Sequence, residues 1–435
     1  MRLSLFVLFS LMAALAQADD GGRLTFSGYG TLGLNHDDSR ESAFTRDITQ
    51  RPKDFSQTSN SWWSEDAWQR DTRLGLQLSY QLAPATSVTS QVVLRDQVSS
   101  RVNHLVDWMY LSLNPLPEMD FRAGRIGFDV FLMSEQRNVG YSYPWLRPPV
   151  EFYGWIPLHS IDGVDLAYTL KEGKGQWRFK LQGGRSPGMG IPFDKDVYYF
   201  ESDRIATATL TRQEGPWLLK AGYANLSVGT EADPLSRMGL FSGLDTVAAG
   251  MPGIPQSVRN EAADLRHHMT WKNARMNYFN LGMTYDTPDW FVQAEWGRVS
   301  SSIAMAINSD MAYLGLARRL DDWTPYAMVS AIRPQGDVRS ASYYWGDTLP
   351  AAATAADRAM LNGLQSGAYM ALNSTRMNQE TFTLGVRWDL TSRTALKWQW
   401  DTTHVRPNSY LLRPSTKVNQ ELTVNLLSAA LDFVF

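Results

Sequence analysis

The six histidines, His36, His104, His159, His267, His268 and His404, are the side chains best able to move a proton at neutral pH, and in a 435-residue chain without cysteine they are also the first candidates for a zinc site. A hydrolytic site needs one of them beside a nucleophile or a water-activating acid. None lies in a nucleophile motif, and all fall in connectors or at strand ends. The adjacent pair His267-His268 points to opposite faces if its segment is extended, and no further ligand cluster accompanies it. The sequence therefore implies neither an enzyme, nor a metal, nor a cofactor.

The chemistry that does recur is electrostatic. Arg73 and Gln77 alternate with Leu74, Leu76 and Leu78; Gln91 and Arg95 alternate with Val92 and Leu94; Asp120 and Arg122 flank Phe121. Arg178 and Lys180 interleave with Trp177 and Phe179, Lys220 stands between Leu219 and Ala221, Arg387 between Val386 and Trp388, and Lys397 between Leu396 and Trp398. Period two puts each polar set on one face of a strand and each apolar set on the other. Acids on the polar faces are fewer, namely Asp165, Glu295 and Asp401.

Stepping from these residues to their elements, alternation appears at 23–35, 70–82, 86–97, 104–114, 118–126, 162–171, 175–185, 199–213, 216–228, 274–286, 289–301, 309–320, 323–333, 379–390, 393–405 and 421–435, which makes 16 strands. Tight turns rich in Pro, Gly or Asp (LAPA, NPLPE, KEGKG, QEGP, DTPD, LDD, LTSR) follow every second strand. Longer connectors near 36–69, 98–103, 127–161, 186–198, 229–273, 302–308, 334–378 and 406–420 lie between them. Such strict alternation of short and long connections is the pattern of an all-β, up-and-down antiparallel transmembrane barrel, whereas a soluble sandwich gives no reason for it.

The first 18 residues, MRLSLFVLFSLMAALAQA, carry Arg2, an apolar run and an Ala-Gln-Ala site, and read as a secretory signal peptide, with 19–435 as the barrel domain. The formal charge of −3, one unit more negative without Arg2, does not suggest nucleic acid.

The chain ends LLSAALDFVF, with Phe435, Phe433 and Leu431 in one row and Val434 and Asp432 in the other. Lipid cannot hydrogen-bond a free strand edge, so this last strand is expected to pair with the first, its aromatic row facing lipid and Asp432 facing water. Here the chain resembles the Gram-negative outer-membrane porin family. The likeness extends to FRAGRIGFDVFLMSEQRNVGYSYPWLRPPVEFYGW, similar to a fifth strand running into an infolded third loop, to the hairpin LARRLDDWTPYAMVSAIRP, and to TFTLGVRWDLTSRTALKWQWDTTHV.

That resemblance implies a water-filled channel in the outer membrane for passive diffusion of small hydrophilic solutes and ions. It also implies contact with lipid and lipopolysaccharide, recognition of Phe435 by the assembly machinery, and a homotrimer. It implies a constriction at which wall cations, above all Arg73, Arg95 and Arg122, face acids of the third loop, for which Asp129, Glu135 and Glu151 are candidates; Arg178, Lys180, Arg387 and Lys397 continue the pore lining. A substrate-selective channel that binds an anionic or sugar-like solute is the alternative. The third-loop aromatics either pack against the wall or line a track, and 229–273 and 334–378 are long enough to act as gates or lids.

Overall fold

A computed structural model describes residues 23–39, 44–50, 65–99, 101–193, 196–231, 233–410, 412 and 419–435. The expected signal segment 1–18 lies outside these residues. The strands are β1 (Leu24–Asp37), β2 (Arg73–Ala83), β3 (Thr86–Arg95), β4 (Val106–Leu116), β5 (Met119–Gly127), β6 (Ser160–Glu172), β7 (Gly175–Phe193) and β8 (Asp196–Glu214). They continue with β9 (Trp217–Val228), β10 (Arg275–Asp286), β11 (Trp290–Ser301), β12 (Ser309–Arg318), β13 (Trp323–Pro334), β14 (Gln379–Thr391), β15 (Thr394–Val405) and β16 (Leu422–Val434). Each pairs antiparallel with its sequence neighbours, and β16 pairs with β1, so the sixteen strands form a closed barrel. Closure leaves no strand edge for lipid to satisfy.

The seam between the first and last strands is built on small residues. Gly28 and Phe435 exchange two backbone hydrogen bonds of 2.9 and 3.0 Å. A Cβ on Gly28 would stand 2.3 Å from the Phe435 ring, and one on Gly30 2.3 Å from the Phe433 ring. Both rings therefore fill the space that a side chain at these glycines would need, and Phe26 packs on Phe435 at 6.0 Å between centroids.

Outward positions are apolar and exposed, as at Leu181, Leu219, Leu281, Leu314, Val329, Leu384 and Leu427. Aromatics gather towards the short-turn end, where Trp323 stacks on Trp388 at 5.0 Å and Trp217 meets Tyr285 at 4.6 Å. Such a belt with an aromatic rim matches a lipid-facing surface. Asp432 does turn inward, but it is fully buried and paired with Lys397 and Thr31 instead of meeting water.

The connector expected at 186–198 is mostly strand. Pro187 and Gly188 read as punctuation, yet the β7–β8 ladder passes them through two register shifts, and Gly188 takes φ 69° against the Phe200 backbone, a bulge that only glycine fits easily. The long connectors also hold helices α1 (Glu65–Gln69), α2 (Val150–Tyr153), α3 (Asp233–Arg237), α4 (Leu240–Gly250), α5 (Gln256–His268) and α6 (Ala355–Asn373). Gln365 and Tyr369 of α6 both donate to Glu261 of α5, at 3.2 and 2.8 Å, which joins segments 229–273 and 334–378 at the long-loop end.

Leu281 stands near the middle of β10 and faces outward, so Leu281→Arg is expected to cost about 2–4 kcal/mol of stability in bilayers. Gln77→Arg, whose side chain points into the barrel, is expected to stay within about 1 kcal/mol of the parent protein. Urea titration of vesicle-reconstituted protein measures both; equal losses would place the lipid face wrongly.

Candidate functional site

The third long connector, between Gly127 and Ser160, turns into the lumen because its own composition demands burial. Phe128, Phe131, Met133, Tyr143, Trp145, Phe152 and Trp155 are each 6% exposed or less. Their partners are apolar side chains on the inner wall. Phe131 meets Tyr278 of β10 at 4.9 Å between centroids, Phe152 meets Tyr313 of β12 at 5.3 Å, and Trp145 lies between Phe291 and Tyr326 at 5.5 and 5.8 Å. Room for the Trp145 indole comes from Gly315, where a Cβ would stand 2.5 Å from the ring. The aromatics therefore pack the loop to the wall instead of lining a track.

Buried ions fix the loop elsewhere. Arg147 donates to Asp71 at 2.8 Å, to Asp401 at 2.7 Å, to Asn35 at 2.7 Å and to Ser428 at 2.5 Å, with 2% of its side chain exposed. Lys397 Nζ, wholly buried, donates to the carbonyls of Gly140, Tyr143 and Trp145 at 2.6, 2.8 and 2.8 Å and lies 3.0 Å from Asp432. Arg387 donates to the Tyr141 carbonyl at 2.7 Å. Asp129 accepts from Lys180 at 2.8 Å and from Lys220 at 2.5 Å. Glu295 of β11 accepts from the Leu132 backbone and from Tyr153. The loop thus touches the wall on most of its circumference. Inward side chains from Thr31 on β1 through Val93, Gln182, Asn280 and Tyr313 to Gln399 on β15 are between 0% and 4% exposed.

The β2–β4 side differs in character. A cavity of about 30 Å³ there is lined by Arg46, Arg70, Arg95 and Arg137, with Asp47 and Asp96. Arg73 is the cross-strand neighbour of Arg95. Among the described residues, all three guanidinium nitrogens of Arg73, and Nε and Nη1 of Arg95, are buried without a hydrogen-bond partner. Arg95 keeps one tie, to Asp107 at 3.4 Å. Burial, followed by the nearby Arg95, lowers the Arg137 guanidinium to about 10, so it stays cationic at neutral pH. Burial and then Arg137, Arg95 and Arg46 push His159 well below its ordinary value, leaving it neutral.

The structure thus brings Arg73 and Arg95 together but separates them from the acids expected to face them. Arg122 is held by Asp165 at 2.6 Å and by the exposed Glu135 at 3.3 Å, nearer the short-turn end. Arg178 pairs with Asp120 at 2.6 Å at that same open end. Glu151 is turned to the opposite wall, where Ser330, Gln379 and Thr381 donate to it at 2.6, 2.7 and 2.5 Å. Helix α2 carries it there, with Pro149 as the residue that caps the helix start. Lys180, Arg387 and Lys397 point inward as expected, but each holds loop atoms instead of facing an open bore.

Residues that alternation missed are those on the connectors, Arg46, Arg137 and Arg147, together with Asp71. The only sequence signal for Arg147 is a lone cation inside the apolar run PWLRPP. His267 and His268 lie in the last turn of α5, a helix and not a strand, and among the described residues no group of three or more metal-ligating side chains forms. His104 Nδ1 lies 2.7 Å from Ser99 Oγ, but its Nε2 is buried without a partner, so no acid orients the pair.

Two solved structures similar to this chain are the anion-selective porin from Comamonas acidovorans and OmpF from Salmonella typhi in complex with daunomycin. The first is 11% identical, with a TM-score of 0.50 over 95% of this chain and 99% of that one. The second is 10% identical, with a TM-score of 0.52 over 95% of this chain and 97% of that one. No protein-family model and no curated protein matches. The likeness is one of fold: the chain is a porin-like, sixteen-stranded barrel.

Removing Lys397 strands Asp432 in a dry site, so Lys397→Met is expected to destabilise the protein by about 3–5 kcal/mol. The double variant Lys397→Met, Asp432→Leu should lose less than the two single changes together, because no unpaired charge remains. Unfolding free energies of the four proteins test this, and strict additivity would show that the pair does not interact.

Proposed function

We propose that the protein is an outer-membrane channel that passes small hydrophilic solutes by diffusion along the arginine side of the third loop, with anions favoured. One observation carries this reading. Five guanidinium groups, of Arg46, Arg70, Arg73, Arg95 and Arg137, gather beside three carboxylates, of Asp47, Asp96 and Asp107, at the same flank of the loop where packing is interrupted by a cavity. A permanent plug gains nothing from the buried donors of Arg73 and Arg95 that find no partner among the described residues, which are costly to hold. A passing anion satisfies them. Few water molecules separate charge from solute at such a point, so the field there acts with little screening.

The dry inner wall favours a restricted, solute-selective channel over a wide sieve. Passage requires the polar flank of the loop to part from β2–β4 while the aromatic flank stays on β10–β13. The same reading takes residues 1–18 as the export signal and Phe435 as the mark for the assembly machinery. No catalytic step belongs to it.

Planar-bilayer recording in a potassium chloride gradient tests the proposal. Small or brief current steps with a reversal potential on the anion side are expected, and the pair Arg73→Gln, Arg95→Gln should move that potential towards cation preference. Glu135→Gln, at the exposed short-turn end, should move it the other way and less. A large, steady step whose reversal potential ignores Arg73 and Arg95 would overturn the reading.

A further inference from the structure

A second cavity, of about 220 Å³, lies on the long-loop side of the third loop. Phe131 and Trp155 of the loop, Phe200 of β8, Tyr278 of β10, and Trp271 and Met305 of two connectors line it, and it opens in part to solvent. Its polar groups are nearly all engaged. Asn277 Oδ1 accepts from Tyr223 and Asn225, at 2.9 and 2.8 Å. Ser374 donates to the Ala371 carbonyl and Thr375 to the Met305 carbonyl, at 2.7 and 2.6 Å. The Tyr278 hydroxyl is turned to the wall, where a Cβ on Gly297 would stand 2.4 Å from it. Among the described residues the Tyr278 hydroxyl and the indole N–H of Trp271 are buried without a partner, and the hydroxyl is taken up against Gly297.

Protein interiors seldom leave so much space unfilled. Water needs two to four polar partners to occupy such a void, and an apolar cavity of roughly 150 Å³ stays dry and takes up benzene. A charged ligand would lose its hydration for at most two neutral donors.

We propose that this cavity binds a small neutral aromatic molecule, of one ring or two fused rings, carrying one hydrogen-bond acceptor for Trp271 Nε1. Edge-to-face partners are already in place: Trp271 meets Tyr198 and Phe200 at 5.8 and 6.0 Å between centroids. The site is separate from the arginine flank, and the inference holds whether or not that flank conducts.

Fluorine NMR of the purified full chain in detergent tests it, with para-fluoroacetophenone, para-fluorotoluene and para-fluorobenzoate as probes. Wild-type protein is expected to broaden the two neutral probes saturably, above the unsaturable uptake by micelles, and the benzoate not at all. Ala224→Phe fills the space and should weaken both neutral probes by about tenfold or more. Met305→Trp, on a connector outside the barrel wall, is a second filling variant should the first fail to assemble. Trp271→Phe should weaken the acetophenone by about threefold to tenfold, the worth of one hydrogen bond, and spare the toluene. Unchanged binding in folded filling variants, or benzoate binding as tightly as acetophenone, would overturn the proposal.

Discussion

A lysine ammonium with no water around it needs every one of its protons received, and Lys397 meets that demand with three carbonyls of one loop and a carboxylate of the last strand. The ammonium is only stable if the loop is seated, and in return it satisfies the carbonyls of Gly140 and Trp145 and shares that of Tyr143 with Arg387, which lies 3.2 Å away. Arg147 makes the converse bond, reaching from the loop to Asp71, Asp401, Asn35 and Ser428. Breaking either leaves an uncompensated buried charge, which costs more than an intact buried pair contributes. The conformation of the lumen therefore depends on these two cations.

Their placement divides the loop into unlike flanks. On β10–β13 the contact is mainly aromatic and aliphatic, held by area removed from water, with Glu295 and Ser330 adding buried hydrogen bonds to the loop. On β2–β4 it is a crowd of guanidinium groups around a small cavity. Between them the loop is a partition one side chain thick. Ile156 lines both the polar cavity and the apolar one, while its neighbours separate, with Trp155 and Leu158 on the apolar side and Tyr153 and His159 on the polar side. A single segment thereby presents a polar surface to one compartment and a dry one to the other.

Much of the barrel was legible in the sequence because lipid imposes a simple rule on each residue. Leu281 must be apolar and Asn280 need not be, so alternation exposed the strands, and short turns such as the one at Gly173, with φ 58°, marked their ends. The reading failed where a long-range contact overrode the local signal, as at Pro187 and Gly188, which punctuate the sequence but sit within a bulged hairpin. The site was legible only as residue types. Arg73 and Lys397 could be sent inward by parity, but whether each would face solvent or the loop depended on where Arg147 and Glu151 go. That is settled by partners more than a hundred residues away, such as Asp401 for Arg147 and Thr381 for Glu151.

The chain contains no cysteine, so the occupied lumen can be tested one introduced thiol at a time. Thr207, Thr381 and Ala430 are buried inward residues on three separated strands, β8, β14 and β16. Each can be replaced by cysteine in membrane-embedded protein and timed against a charged methanethiosulfonate reagent, with Glu135→Cys as the exposed control. Fast reaction is expected at position 135 and protection at the other three, relieved when Lys397→Met is added. Fast reaction at all four positions in the otherwise native protein would show a water-filled bore and contradict a lumen occupied by the third loop.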